Sequence, residues 1–318
     1  FRDLSEYLFG VNRMDRKTFV FALITVIIWS SAFPGIRASL LGGYTPGHLV
    51  LMRFLVASTI FLILALLPNI HFSLPKKKHL PQIMGLSFIG ISVYHASLTY
   101  GQQTISAGTA GMIIGSAPIF TALIAVFILK EKMRGISWIG LVIGFIGISL
   151  VSFGTTDSGF TVDKGIFFVL IAALATATFF VLQKPLFIHY KPIELMAYFT
   201  WFGTIPLLIF TPGIFETVQH ATLEANLSAV YVGIFPAAMA YVLWGFALSM
   251  GNANTVSTML YIEPVFVIFI AWLWLQEWPS TLSIIGGCVA ISSVIFVNMA
   301  ERSQQKKQSL ESRGAASG

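Results

Sequence analysis

Residues 117–131 read APIFTALIAVFILKE, and residues 263–277 read EPVFVIFIAWLWLQE at an offset of 146 positions. The same offset aligns the second half of the chain with the first, without gaps over most of its length. Identities among apolar residues arise by chance in such sequences, so the proline, threonine, glutamate and glycine identities carry the argument. We infer two related halves from the pairs Pro46/Pro192, Thr109/Thr255, Pro118/Pro264, Glu131/Glu277 and Gly140/Gly286.

The composition is that of a membrane protein. Of 318 residues, 56% are hydrophobic and 10% are charged, and the mean hydropathy is +0.82. Soluble domains carry about 25% charged residues, and a chain of this size cannot bury so much apolar surface in a core, so the excess must face lipid. Cys288 is the only cysteine, which excludes an intramolecular disulfide and a cysteine metal cluster.

Ten apolar runs have the length of a bilayer-spanning helix, which needs roughly 20 apolar residues. Short loops rich in glycine and proline separate the runs. The sequence therefore predicts an all-α membrane protein with ten transmembrane helices, five in each half. Because five is odd, the halves enter the membrane in opposite directions, and such inverted repeats are a transporter architecture with the binding site between them. The runs cover 18–38, 47–67, 82–101, 106–129, 135–153, 165–183, 193–210, 228–250, 254–275 and 280–299.

Positive charge predicts the orientation. If the N-terminus is cytoplasmic, sixteen of the 19 lysines and arginines fall in inside segments, while the outside loops carry mainly acidic residues. The positive-inside rule then places both termini in the cytoplasm. The net charge of +6 is explained by this topology. We therefore expect a lipid bilayer and a small-molecule substrate as partners, and no nucleic acid.

The predicted organisation has two repeats between two excluded ends. Residues 1–13 precede Met14 and are expected to be non-native or disordered, and residues 301–318 form a basic cytoplasmic tail that is expected to be partly vector-derived. The first five-helix repeat is placed at 14–153 and the second at 165–300. A linker, 154–164, joins them.

Several motifs resemble the EamA-type repeat of the drug/metabolite transporter superfamily. They are the run Trp29-Ser30-Ser31-Ala32-Phe33 ending at Arg37, Pro46 followed by Arg53, and Ala117-Pro118-Ile119-Phe120 leading to Lys130-Glu131. In the second half, Tyr261-Ile262-Glu263-Pro264-Val265-Phe266 leads to Glu277. The likeness covers nearly all of residues 15–300, and one departure is Phe199 at the place that corresponds to Arg53.

The resemblance implies a bacterial inner-membrane exporter of metabolites, commonly amino acids, that needs no cofactor. The subgroup most similar is that of the YddG-type aromatic amino acid exporters. Family membership alone does not determine the substrate. We expect a secondary transporter that works by alternating access, with an aromatic or other hydrophobic amino acid as substrate. Carriers of nucleotide sugars or phosphosugars in the same superfamily remain an alternative.

Ionisable residues inside the predicted spans are candidate functional groups, because they are costly in hydrocarbon. Glu263 lies near the midplane and either binds a substrate ammonium group, carries a proton, or locks helices beside Pro264. His95 either lines the pathway or is a neutral histidine packed between helices. Arg37 and Arg53 lie near outer helix ends, where long side chains reach the headgroups. Arg53 alternatively contacts a substrate carboxylate or belongs to an outer gate.

Aromatic residues at comparable heights predict an apolar substrate cavity with a few polar tips. The same residue types also form belts at membrane interfaces. Pro118 and Pro264 occupy equivalent positions, so paired kinks are expected there, as rocking points or as a consequence of packing alone. The cavity candidates are Trp29, Tyr94, Phe179, Tyr241 and Trp244.

Motifs of other protein classes are absent from the sequence. Without a Walker-type phosphate-binding loop, ATP hydrolysis is not the expected energy source. The chain contains no metalloprotease or lipase motif, so an enzyme is not expected. A channel and a membrane-embedded enzyme based on His95 and Glu263 remain alternatives. Monomer and homodimer also stay open, because Gly140 and Gly286 could form a dimer face.

Overall fold

A computed structural model describes residues 15–67, 72–127, 135–153, 163–250, 256, 258–293, 295–296 and 299. These residues form helices and connecting turns, and no β-strand occurs among them. The predicted end segments 1–13 and 301–318 and most of the predicted linker lie outside the described residues.

Twelve helices are used below. In chain order they are α1 (Arg16–Leu41), α2 (Pro46–Leu66), α3 (Lys77–Gly101), α4 (Ala107–Gly115), α5 (Ala117–Phe127), α6 (Gly135–Phe153), α7 (Lys164–Gln183), α8 (Pro192–Leu207), α9 (Ile214–His220), α10 (Leu223–Ala247), α11 (Glu263–Leu275) and α12 (Thr281–Ser293).

Short polar residues fix where several helices begin. The side chain of Thr45 accepts a hydrogen bond from the backbone N–H of His48, and Pro46 fills the first helical position of α2. Ser106 and Thr222 cap α4 and α10 in the same way. These caps satisfy backbone donors that have no partner inside the helix.

Six helices of the described chain are long and apolar enough to cross a membrane, and they comprise α1, α2, α3, α7, α8 and α10, with short flanking turns included for α7 and α8. Four shorter apolar helices, Ala107–Thr121, Trp138–Val151, Met259–Leu275 and Thr281–Ser293, lie inside the remaining predicted spans. The chain is therefore an all-helical membrane protein, as the composition predicts. The count of ten spans and the orientation of the termini stay predictions.

The fourth and ninth predicted spans are not continuous helices. The fourth breaks at Ser116 (φ −88°, ψ −1°), and α5 begins at the next residue. The ninth consists of a 3₁₀ turn (Thr258–Ile262) followed by α11, with Ile262 at φ −89° and ψ −8°. Pro118 and Pro264 each lie two residues beyond the break, in the first turn of the next helix. Proline is tolerated there because the first turn of a helix does not need its missing N–H. The expected kinks are thus helix starts.

The 146-residue offset is visible in the structure. Pro46 begins α2 and Pro192 begins α8, and the breaks at Ser116 and Ile262 obey the same offset with nearly the same dihedral angles. The helix in the third predicted span of each half contains a π-helical segment. These segments are Phe88–Val93 in α3 and Phe235–Met239 in α10. Related sequences in the two halves thus form related local structures.

The two halves pack against each other reciprocally. The end of α3 packs on α7, and the corresponding end of α10 packs on α1. In the same way α5 packs on α7 and α11 on α1, while α8 packs on α3 and α10 on α2. Each first helix is therefore enclosed partly by the other half, and the contact between halves forms the middle of the molecule.

The last helices of the halves, α6 and α12, meet through small residues. A Cβ atom added to Gly286 would lie 2.6 Å from the carbonyl oxygen of Gly147, and one added to Gly147 would lie 2.5 Å from the backbone nitrogen of Ala290. Such close backbone approach needs residues without large side chains. Gly286 is consequently buried against α6 within its own chain.

Candidate functional site

A cavity of about 110 Å³ lies between the halves. Equivalent positions of the two halves line it together. Some of these pairs have similar residue types, and others differ in polarity. The pairs are Phe33/Phe179, His95/Tyr241, Ile114/Leu260, Gly115/Tyr261 and Ala117/Glu263.

Two pairs of equivalent residues are in contact between the halves. His95 Nε2 lies 3.3 Å from Tyr241 Oη, and Ser58 Oγ lies 2.9 Å from Thr204 Oγ1. Both pairs are 146 residues apart, the offset of the sequence repeat. His95 is buried, and its Nδ1 has no hydrogen-bond partner among the described residues.

The π-helical segments shape the cavity wall. Gly90 lies in the segment of α3 and faces Phe179, whose ring would be only 2.3 Å from a Cβ atom at Gly90. Pro236, in the segment of α10, offers its carbonyl oxygen to the indole N–H of Trp29 at 3.1 Å. π-helical turns leave such backbone groups available and are frequent at functional sites.

Trp29 is held from two sides. Its ring meets Tyr241 edge-on at a centroid distance of 5.6 Å and contacts Trp244 at 5.2 Å. Trp29 and Tyr241 line the cavity, whereas Trp244 lies behind Trp29, buried with Ala22 and Val26. The structure therefore places Trp244 outside the cavity lining, where it supports Trp29.

Glu263 is the first residue of α11 and lines the cavity. A carboxylate at a helix N-terminus is stabilised by the helix dipole. The hydroxyl of Ser30 donates to the backbone oxygen of Glu263 at 3.2 Å, which ties the start of α11 to α1. Pro264 packs on Gly115, since a Cβ atom at Gly115 would lie 2.5 Å from the Pro264 ring. The side chain of Pro118 lies outside the described residues.

Arg53 also lines the cavity, and only 3% of it is exposed. The expectation that its side chain reaches the headgroups was wrong, because α2 turns this residue toward the middle of the molecule. Its guanidinium carbon lies 5.6 Å from the ring centroid of Phe54. Its Nε and Nη1 atoms have no hydrogen-bond partner among the described residues.

Arg37 does not reach the headgroups either. Its Nε lies 3.1 Å from Glu277 Oε1, and its Nη1 donates to the carbonyl oxygens of Gln102 and Gln103 at 2.8 Å. The second oxygen of Glu277 accepts from the backbone N–H of Ala107 at 3.2 Å. This group joins the end of α1, the turn after α3, the start of α4 and the chain that follows α11.

The cavity thus unites seven of the residues predicted from the sequence: Trp29, Arg53, Tyr94, His95, Phe179, Tyr241 and Glu263. Sequence reasoning missed Gly90, Thr121, Phe180, Leu260 and Tyr261, which line it as well. For Tyr261 the sequence repeat offers a signal. Tyr261 lies 146 residues after Gly115, and both residues line the cavity. No group of three metal-ligating side chains occurs within the described ranges.

Comparison with known proteins identifies the family. The EamA-like transporter family matches residues 16–153 and again residues 163–299. The chain belongs to the EamA-like transporter family. It is similar to the "Uncharacterized transporter YdfC" of Bacillus subtilis, with 38% identity over 269 residues that cover 85% of this chain and 87% of that protein.

Other relatives of this EamA-like transporter extend the picture. A "Probable terminal-alkyne amino-acid exporter" of Streptantibioticus cattleyicolor is 32% identical over 295 residues, which cover 92% of this chain and 98% of that protein. One solved chain, described only as a crystal structure of protein, superposes with a TM-score of 0.61 at 16% identity over 90% of this chain and 98% of its own. At that identity the likeness shows the fold alone.

Proposed function

We propose that this EamA-like transporter moves a small neutral amino acid through the cavity between its halves. The observation that carries the proposal is the cavity lined by equivalent positions of both halves, with a guanidinium and a carboxyl group in mainly apolar walls. Substrate sites of transporters built from inverted repeats lie at this place.

The proposed arrangement has ten spans, with the two five-helix repeats inverted and both termini in the cytoplasm. The first repeat covers 14–153, and the second covers 165–300. The protein is a multi-pass protein of a bacterial inner membrane and exports its substrate without a cofactor. Rocking of one half against the other exposes the cavity alternately to the two sides, with the helix starts at Pro118 and Pro264 as pivots.

The cavity is narrow in this conformation. Its volume of about 110 Å³ is below the roughly 150 Å³ that holds a benzene ring in a protein interior. Any neutral amino acid, aliphatic or aromatic, therefore requires a wider cavity than this conformation has. The relative from Streptantibioticus cattleyicolor supports an amino acid by its name.

The test is flux into liposomes that contain the purified protein. We expect saturable counterflow of radiolabelled neutral amino acids, tested with leucine, norvaline, threonine, phenylalanine and tryptophan. A Glu263→Gln variant that folds should lose most of this flux, because the ammonium group then lacks its anionic partner. Glu216→Gln is the control, since this exposed residue of α9 lies far from the cavity lining.

Other outcomes would replace the proposal. Flux of a nucleotide sugar without flux of amino acids would assign the protein to the phosphosugar and nucleotide-sugar carriers. Such a carrier needs cationic groups for its phosphates, and Arg53 is the one lysine or arginine that lines the described cavity. The absence of any flux, with or without a pH gradient, would contradict transport through this cavity.

A further inference from the structure

Arg53 is a buried cation, and part of its guanidinium group lacks a hydrogen-bond partner among the described residues. Its Nε and Nη1 atoms find no acceptor among the described residues, although the side chain is almost fully buried. The only salt bridge in the described part of the chain joins Arg37 and Glu277, so no carboxylate lies within 4.0 Å of Arg53. A buried guanidinium without an anionic partner is destabilising, and binding of an anion removes much of this penalty.

The second half shows that the fold does not need this charge. Phe199 occupies the equivalent position on α8 and is completely buried in an apolar cluster with Phe179 and Tyr241. Position 53 could therefore be filled by an apolar side chain of similar size. The cation is present only in the half where the side chain faces the cavity, which indicates a role in the cavity itself.

The remaining polar groups of the cavity complete a dipolar site. Arg53, Tyr94 and Glu263 line the same cavity. Trp29 and Phe179 provide apolar wall beside them. A ligand that carries an anion and a cation on one carbon, together with an apolar substituent, matches this distribution.

We propose that Arg53 binds the carboxylate of the transported amino acid through its guanidinium group, while Glu263 faces the ammonium group. This inference rests on the proposed function and adds the orientation of the substrate and the residue that recognises its carboxylate. A guanidinium presents two parallel N–H groups to a carboxylate, and such paired charge-assisted bonds give both strength and geometric selection. Arg53 is thus the residue that selects carboxylates over amides and amines.

The experiment compares analogues that share one side chain. Counterflow of radiolabelled leucine into liposomes is inhibited by unlabelled leucine, leucinamide or 3-methylbutylamine. With the unaltered protein, we expect leucinamide and the amine to inhibit at least about tenfold more weakly than leucine, because a charge-assisted hydrogen bond is lost. Equal inhibition by leucine and leucinamide would overturn the assignment while leaving amino acid transport intact.

Variants connect this preference to Arg53. In Arg53→Gln we expect the preference for leucine over leucinamide to fall at least about tenfold, and in Arg53→Lys we expect part of it to return. Arg37→Gln is the matched control, because it removes a cation outside the cavity lining and should leave the ratio unchanged. An unchanged ratio in Arg53→Gln would contradict the proposal. If that variant does not fold, the analogue series on the unaltered protein still decides, and absence of leucine flux in that protein refutes the proposed function instead.

Discussion

Two glycines of α3 differ in what a side chain would meet. A Cβ atom at Gly90 would lie 2.3 Å from Phe179 in the cavity wall, whereas one at Gly85 meets nothing within 4 Å. We predict that Gly90→Ala lowers the free energy of unfolding by about 1–3 kcal/mol, as overpacking does. Because Phe179 must move, the same variant should also reduce solute flux.

Gly85→Ala is the matched control for this substitution. It adds the same methyl group to the same helix and should leave the protein equally stable or about 0.5–1 kcal/mol more stable, since alanine favours a helix interior. Thermal unfolding in detergent and leucine counterflow measure both effects. Equal behaviour of the two variants would show that the contact between Gly90 and Phe179 does not shape the cavity.

Two indole N–H groups make the same bond in different places. Trp29 donates to Pro236 at the cavity, and Trp201 donates to the carbonyl oxygen of Ser58 away from the cavity lining, each at 3.1 Å. Phenylalanine at either position keeps a ring and loses the bond, so we predict a similar loss of about 0.5–1.5 kcal/mol in stability. Only Trp29→Phe should weaken the apparent affinity for leucine. A comparable change of affinity in Trp201→Phe would contradict a specific role for Trp29.

At the scale of helices, the pair of Arg37 and Glu277 joins α1 to the chain that follows α11. We predict that Arg37→Gln and Glu277→Gln each lower the free energy of unfolding by about 1–2 kcal/mol, because each leaves hydrogen-bonding groups of the other without a partner. The double variant should lose less than the sum, with a coupling of about 0.5–1 kcal/mol for a partly exposed pair.

A double-mutant cycle on chemical unfolding in detergent measures this coupling. Glu224→Gln is the control, because Glu224 contacts the indole of Trp274 at 3.3 Å and no cation among the described residues. It should change stability by less than about 0.5 kcal/mol. Strict additivity of the Arg37 and Glu277 substitutions would refute the coupling.

The breaks at Ser116 and Ile262 show which features of the helices the sequence did not predict. Apolar runs determine which segments become helices, so the positions of the helices follow from hydropathy. The prolines at 118 and 264 predict a local disturbance, but proline is compatible with both a kinked helix and a helix start. Of the two π-helical segments, Phe235–Met239 contains Pro236, a signal of the same kind. Phe88–Val93 contains no proline and is as apolar as the helix around it.

For the whole molecule, topology gives a direct prediction. In a Cys288→Ser background, a cysteine at Lys77 should react with a membrane-impermeant thiol reagent from the cytoplasmic side only. One at Glu216 should react from the other side only. Both positions are exposed at opposite ends of predicted spans. Labelling of both cysteines from the same side would refute the proposed ten-span arrangement.

The repeat made the location of the site predictable, and side-chain direction limited the rest. An offset of 146 residues already implies a site between the halves, and it aligns His95 with Tyr241, which are in contact. The position of Arg53 along α2 predicted a side chain at the headgroups, whereas the side chain lines the cavity. The depth of a residue in a span does not determine which face of the helix it occupies. Trp244 is predicted on the same helix face as Tyr241, but it packs behind Trp29 and does not line the cavity. Sequence spacing does not show which of two residues on one face reaches a cavity.

The pair of Arg37 and Glu277 has a thermodynamic consequence for the transport cycle. If the two halves were identical, exchanging their conformations would leave the energy unchanged, and the states open to either side would be equally populated. Here the position equivalent to Arg37 is Gln183, which cannot form the same ion pair. An energy difference of about 1.4 kcal/mol between the two arrangements shifts their populations tenfold. Under the proposed alternating access, differences between the halves such as Arg37 and Gln183 determine which of the two states is more populated.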